Sequence, residues 1–444
     1  MASTYLTRTF GTATNRDKGT LSFWMKTSNS AGGIVGNYTN DTNRAILYWG
    51  NGSIKYYDGA ANVEYNATAR VLRDPNAWYH IVLMINTADG TQADRVRIYI
   101  NGERQSPIAG NQAYNQNENS HMFNPTSAFS IGRDTYSSGA QDYFNGAISH
   151  FHYCDGQAYD ASSFGETDTT TGEWKAKTSP SVTYGSQGFF ILKNSNSVTD
   201  QSGNSNNFTV GGGTLTDLKD NPDNVFATLN PLCNGSNTTL SKGNTVTTGN
   251  TASDSGMSTV TLPVASSGKY YWEMKITGSH ADYPKAGIFK NWEAIAQGTM
   301  NGASGGAFQL DAYIQKGLST LVSDDGNISI TAPANNNIIM YALDSVNGKF
   351  YIGNNGTWYN NGNPTSGSTG TGSVLNLTSG NINMIGTHEY NGSISNWNFG
   401  NGYFGTTAVT TNSGNGYSGA EGASKFNYTV PTGYSALSTK GLNE

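Results

Sequence analysis

Trp78 to Arg104 reads WYHIVLMINTADGTQADRVRIYINGER, two alternating strands ending in an Asn-Gly turn. In Arg95 to Ile100, the residues Val96, Ile98 and Ile100 fall on one face and Arg95, Arg97 and Tyr99 on the other, the period of a half-buried strand. Asn101-Gly102 then supplies the positive φ angles that a tight hairpin needs. Upstream, Tyr79, Ile81, Leu83 and Ile85 alternate with His80, Val82 and Met84, so both faces are largely apolar and the strand belongs at the centre of a sheet. A shorter echo runs from Ile338 to Asp344, turns at Asn347-Gly348 and returns as Lys349 to Ile352. Two such hairpins so far apart imply two successive β-sandwich domains.

Composition agrees. A chain of 444 residues is too long for one sandwich. Its 55 Gly, 26 Tyr and 8 Trp favour short strands and frequent turns over helices. Charged residues make up only 13%, so Asn, Ser, Thr and Gly must carry much of the surface. A net charge of -6 without a basic run argues against nucleic acid as a partner. No stretch approaches the roughly 18 apolar residues of a membrane span, and the start, MASTYLTRTFGTATNR, lacks the apolar core of a secretion signal. The expected product is made in a cytoplasm and is not inserted in a membrane. Cys154 and Cys233 are too few for a disulfide framework and are expected as free, buried thiols.

Further strands are expected at Leu21 to Met25, in the hairpin Ala45 to Tyr57 around Asn51-Gly52, at Phe129 to Arg133, and from Tyr143 to Tyr153. The polar passage Ser162 to Thr171 looks like a sandwich edge, and Asn221-Pro222-Asp223 and Asn230-Pro231 like a domain boundary. Tyr270, Trp272, Met274 and Ile276 alternate in a second domain. The expected organisation is a jelly roll over 1–165, a connector over 166–232 with a strand returning to the first domain, a second sandwich over 233–402 and a C-terminal extension over 403–444 lying on it.

These segments resemble known families. TLSFWMK (Thr20 to Lys26), WYHIVLMI (Trp78 to Ile85), VRIYINGE (Val96 to Glu103), FSIGR (Phe129 to Arg133) and YFNGAISHFHYCDGQAY (Tyr143 to Tyr159) are similar to laminin-G-like, concanavalin-type jelly rolls. SSGKYYWEMKI (Ser266 to Ile276), AGIF (Ala286 to Phe289) and YALDSVNGKFYIGNNGTW (Tyr341 to Trp358) resemble a SPRY domain. The tandem, with SSFGETD, GEWKAK, GFFILKNSNSVTDQSGNSNNFTV, DNPDNVFATLNPL and the final PTGYSAL, resembles jelly-roll plus SPRY virion proteins of marine bacteriophages. That resemblance implies an all-β chain of two concanavalin-like antiparallel sandwiches in tandem with a β-rich connector, carried on a virion surface.

Jelly rolls of this shape include polysaccharide hydrolases, which hold two carboxylates about 5 to 10 Å apart across the cleaved bond. No Glu-x-Asp-x-x-Glu pattern supplies such a pair here. Glu273, on one strand face with Lys275, reads as a solvated cross-strand charge. His150 and His152 share a strand face beside Asp155, but two ligands at that spacing read better as an exposed or hydrogen-bonded pair than as a metal site. Asp324-Asp325-Gly326-Asn327 lacks the rest of an EF-hand loop and reads as a turn. Laminin-G-like domains often bind calcium at a loop rim, and the resemblance makes Asp89, Asp94 and Asp134 the candidate ligands for that one cofactor.

Sugar rings stack on Trp and Tyr, so Trp49, Tyr57, Trp292, Trp358 and Tyr359, all near expected loops, are the candidate ligand-binding rings. Trp24, Trp78, Trp272 and Trp397 lie within strands and are expected to pack. The expectation is a non-enzymatic bacteriophage surface protein, a receptor-binding tail fibre or a capsid decoration or head fibre. Its partners would be other virion proteins and a host-surface glycan, with a homo-oligomer or several copies per virion. The alternatives are a tailspike-like glycan depolymerase and a purely structural virion protein.

Overall fold

The two expected hairpins lie in separate compact units of a computed structural model that describes residues 4–27, 31–59, 61–67, 72–106, 114–125, 127–136, 140–169, 172–177, 179–193, 197–235, 237–250, 255–264, 267–289, 301–302, 310–378, 383–410 and 424–440. Residues 1–217 and 221–223 make one unit, and residues 218–220 and 224–444 the other. Among the described residues the regular structure is strand, with only short 3₁₀ turns between.

In the first unit most of the described strands form two facing sheets, with two separate two-stranded hairpins beside them. The seven-stranded sheet runs, in spatial order, Thr209–Gly212, Tyr5–Thr9, Ala128–Ile131, Ala31–Tyr38, Arg44–Gly50, Ser53–Asp58 and Val63–Ala67. The six-stranded sheet runs Phe189–Ile191, Gly146–Asp155, Lys18–Thr27, Tyr79–Asn86, Val96–Ile100 and Glu103–Gln105. Neighbours in both are antiparallel, as between Tyr79–Asn86 and its partners on either side. The core between them joins Phe23, Ile81, Leu83 and Ile98 to Leu47, Trp49, Ile54, Tyr56 and Phe129.

The strand Tyr79–Asn86 is apolar on both faces because both are covered. Ile81, Leu83 and Ile85 enter the core, while Val82 packs outward with Cys154, Ala161, Phe164 and the half-buried Trp174 and Tyr184. The described residues between 161 and 184 thus back the six-stranded sheet. Asn101-Gly102 takes φ of 48° and 83°, and Asn51-Gly52 takes 54° and 78°, the left-handed pairs that two-residue hairpins require.

The second unit pairs an eight-stranded sheet with a nine-stranded one among the described residues. Lys269–Gly278 is central in the latter, between Ile338–Asp344 and Ser393–Asn398. Trp272, Tyr341, Phe350 and Trp397 stack within its core. The C-terminal segment is threaded into this unit: Ser435–Ala436 pairs in parallel with Tyr270–Tyr271, and Phe426, Tyr434 and Leu437 are fully buried.

Several expectations are corrected. Asn347-Gly348 is not a two-residue turn: Asp344 pairs with Lys349, leaving a four-residue loop in which only Gly348 of the two has positive φ. The Asp344 carboxylate closes that loop by accepting the Asn347 N–H at 3.0 Å and side-chain amide at 2.8 Å. Glu273 is not solvated but 0% exposed. Its carboxylate accepts the backbone N–H groups of Asn427 and Tyr428, both at 2.8 Å, the Tyr271 hydroxyl at 2.9 Å and the Asn398 amide at 3.3 Å. His150 and His152 do not continue one regular face, because the pairing with Lys18–Thr27 shifts between Ser149 and His152 and His150 sits at φ 49°. Both are buried, His150 meeting Ser149 Oγ at 2.8 Å and His152 the Tyr184 hydroxyl at 2.9 Å. Neither Cys154 nor Cys233 is in a disulfide, but only Cys154 is buried; Cys233 is half-exposed.

Candidate functional site

Strand parity decides which rings of the first unit face outward. In Arg44–Gly50 and Ser53–Asp58 the residues Ala45, Leu47, Trp49, Ile54 and Tyr56 point into the core, so Tyr48, Lys55 and Tyr57 lie on the opposite, outer face. Tyr48 and Lys55 are directly opposite one another, and Lys55 Nζ lies 5.8 Å from the centre of the Tyr48 ring. The Arg44 guanidinium lies 5.2 Å from the Tyr57 ring. Arg133 is held 3.7 Å over the ring of Tyr5. Cations over ring faces orient them and restrict their rotamers.

Beside these pairs, the hairpin Arg133–Tyr136 and Ala140–Tyr143 lies against Ala31–Tyr38. Two glycines make that approach possible. A Cβ on Gly33 would stand 2.3 Å from the Asp134 nitrogen, and one on Gly36 would stand 2.9 Å from its Cα. Asp134 is 3% exposed, and its Oδ1 has no hydrogen-bond partner among the described residues. Burial, and then the facing Asp142, push its carboxyl up to about 7, while the Asp142 N–H, Arg44 and Arg133 pull it back. Burial also raises the Tyr48 phenol, with Glu64 and Asp134 adding to it.

The expected ligand-binding rings are scattered. Tyr57 belongs to the outer face just described. Trp49 is 4% exposed and enters the core, because it shares the parity of Leu47. Trp358 and Tyr359 lie together in the second unit, half-buried against its core. Trp358 meets Tyr271 and Tyr351 edge-on, and the Tyr359 hydroxyl donates to the Thr331 carbonyl at 3.3 Å. Trp292 lies outside the described residues.

The expected calcium ligands do not assemble. Asp89 and Asp94 both turn to Arg97, at 3.3 and 3.4 Å, and Asp94 also meets Arg104 at 2.6 Å. Guanidinium groups already neutralise these carboxylates, and the Arg104 hydrogen bond lowers the Asp94 carboxyl below its ordinary value. Asp134 belongs to a different hairpin. Among the described residues no three His, Cys, Asp or Glu side chains gather as a metal-binding set.

Reading by sequence missed Tyr5, Arg44, Tyr48 and Lys55. The signal was present, since Tyr48 and Lys55 flank Asn51-Gly52 at equal and opposite steps of the hairpin ladder.

Comparison with known proteins places this face in context. Residues 2–157 match the family described as the concanavalin A-like lectin/glucanases superfamily. Among solved structures, the chain is similar to the SPRY domain of human HERC1, at 13% identity over 38% of this chain and 96% of that one, with a TM-score of 0.28. It is also similar to the heptameric SAP-like pentraxin from Limulus polyphemus, at 16% identity over 36% of this chain and 72% of that one, with a TM-score of 0.26. No curated protein matches the chain.

Proposed function

We propose that the chain is a non-enzymatic virion surface protein of a bacteriophage that adheres to host-surface glycan through the outer face of the seven-stranded sheet. The observation that carries this reading is the set of cation-backed rings, Tyr5, Tyr48 and Tyr57, on a rigid sheet within the lectin-like stretch. Flat rings take the apolar face of a sugar, while Lys55, Arg44 and Glu64 stand near its hydroxyls. A single shallow face of this kind binds weakly, and several copies per particle raise its avidity. The virion setting rests on the tandem resemblance, and the adhesin could sit in a tail fibre or on the capsid.

The non-enzymatic reading is supported by the carboxylates themselves. Asp134 holds a proton near neutral pH, as a general acid would, but its carboxyl is packed against Gly33 beneath the hairpin. A buried acid there cannot reach a glycosidic oxygen.

Binding of the purified full chain to whole host cells, capsule and lipopolysaccharide tests this proposal. Saturable binding that weakens about fivefold to tenfold in Tyr48→Ala and Tyr57→Ala is the expected result. Unchanged binding in the double variant would remove this face from adhesion. Release of oligosaccharide by the wild type would replace adhesion with depolymerisation.

A further inference from the structure

The eight-stranded sheet of the second unit carries a row of side chains that neither hairpin pattern nor family likeness singles out. Lys285 is directly opposite His388 on one neighbouring strand and Gln315 on the other. All three are half-exposed and share one face. They form a donor row of His, Lys and Gln across three strands, with a strand spacing of about 4.8 Å.

Aromatic rings surround this row. Lys285 Nζ lies 5.2 Å from the Tyr283 ring and 5.7 Å from the Tyr313 ring. The Tyr283 ring meets His388 edge-on at 5.7 Å and His280 edge-on at 5.3 Å, and lies tilted against Tyr390 at 5.4 Å. The next step along the sheet brings Gly287 opposite Gly386, both buried, where the Phe289 ring lies over Gly386 and would stand 2.4 Å from a Cβ added there. Tyr313 stands opposite Gly287 on the far side. A ligand would therefore meet the donor row and its rings, with Phe289 and Tyr313 closing the side toward the glycines.

The polar atoms are arranged for an anion. Nε2 of His388 is buried and has no partner among the described residues. His280 accepts the Asp282 N–H on Nδ1 at 3.1 Å, which leaves Nε2 as the protonated nitrogen of the neutral ring. Lys285, at the middle of the row, is its one fixed positive charge. Asp282 in the flanking loop is exposed and acts on Lys316, whose Nζ is held by the His280 carbonyl.

We infer that this face is a second carbohydrate site, selective for a sugar that bears a carboxylate. The carboxylate would bridge Lys285 Nζ and His388 Nε2–H, Gln315 would take a neighbouring hydroxyl, and the sugar's apolar face would lie on Tyr313 or Tyr390. A charge-assisted contact fixes the acid, and the rings fix the plane of the sugar. This site is independent of the outer face of the first unit: each can fail without the other.

Titration of the purified full chain with trigalacturonic acid, 3′-sialyllactose and maltotriose tests the inference. The expected result is saturable binding of at least one acidic probe at least tenfold tighter than maltotriose, reduced about tenfold or more in Lys285→Gln and His388→Gln and unchanged in Tyr48→Ala. Which acidic probe binds distinguishes a uronic from a nonulosonic acid. The variants keep side chains of similar length, and an unchanged thermal transition shows that the sheet is intact. If such a variant unfolds, 1 M sodium chloride replaces it, since a charge-anchored acid must weaken with salt. Equal binding of acidic and neutral probes, binding indifferent to both Lys285→Gln and salt, or no binding of either acidic probe overturns the inference.

Discussion

Trp174 donates its indole N–H to Nδ1 of His80 at 3.0 Å, across 94 residues of sequence. The His80 ring lies nearly parallel to those of Trp24 and Trp174, with centroids at 5.0 and 6.0 Å, and its Nε2 meets Ser22 Oγ at 2.9 Å. Gly102 and Gly165 leave the slot for the indole, since a Cβ on either would stand 2.7 or 2.4 Å from its ring. This contact pins the segment after the lectin-like stretch to the sheet. Trp174→Ala is therefore expected to destabilise the first unit by about 2 to 4 kcal/mol through lost packing and an orphaned His80 nitrogen. Hydrogen exchange across 161–192, read separately from the second unit, checks it; protection unchanged from the wild type would contradict this assignment.

Acid should loosen the first unit. Burial lowers His80 to about 3 and His152 well below its ordinary value, and it lowers His121 and His150 as well. A ring whose affinity for protons the fold lowers takes them up first in the unfolded chain, below about pH 6.5, so the unfolded state binds more protons. Stability contributed by neutral His80 is complete above about pH 6.5 and drains away as pH falls toward its folded value of about 3. Exchange of first-unit peptides at pH 7.5 and 5 measures the loss.

The second unit should respond in the opposite sense. Burial raises Glu273 to about 7 against its four donors, and burial raises Glu389 likewise. Here the fold holds the extra protons, so the contribution is complete below pH 4.5 and is lost as pH rises through about 7. Peptides of the second unit are expected to exchange more slowly at pH 5.5 than at pH 8, after correction for intrinsic rates. A parallel response of both units would refute these two assignments together.

Glu273 also holds the C-terminal segment. Glu273→Ala leaves the N–H groups of Asn427 and Tyr428 without their acceptor and opens a cavity beside Tyr271. A cost of about 3 kcal/mol is expected, together with proteolytic cutting within 424–440 while the first unit stays intact. Resistance equal to the wild type would show that the segment is held by Phe426 and Tyr434 alone.

At Asp134 the prediction is a gain. Asp134→Asn removes a buried carboxyl that is forced up to about 7, and should stabilise the first unit at pH 8 by about 1 to 2 kcal/mol. Urea unfolding at pH 8 and pH 5 reads it, with the gain shrinking at the lower pH. A loss at pH 8 that calcium restores only in the wild type would instead make the carboxylate a cation ligand.

Much of this fold was legible. The period-two runs and the Asn-Gly pairs located the strands and two of the turns, because each depends on residues close in sequence. Asn347-Gly348 misled, since Asp344 closes its loop with a side chain that mimics backbone. Glu273 misled more deeply: its parity with Lys275 suggested solvent, yet two of its four donors come from more than 150 residues downstream. The candidate face was only partly legible. Tyr57 stood out beside a turn, but the cations that orient Tyr48 and Tyr57 belong to neighbouring strands, and pairing becomes visible only with the register.

One sheet of the first unit is wrapped by its own chain, through Phe164, Trp174 and Tyr184, while the other keeps Tyr48, Lys55 and Tyr57 outside the core. The unit is thereby one-sided in what it can change. Residues on the wrapped side answer to folding, whereas those on the open side can be exchanged with little cost to it. If the proposed adhesive role holds, a library that varies Lys55, Tyr57 and Glu64 is expected to change what the protein binds while the strands beneath stay as they are.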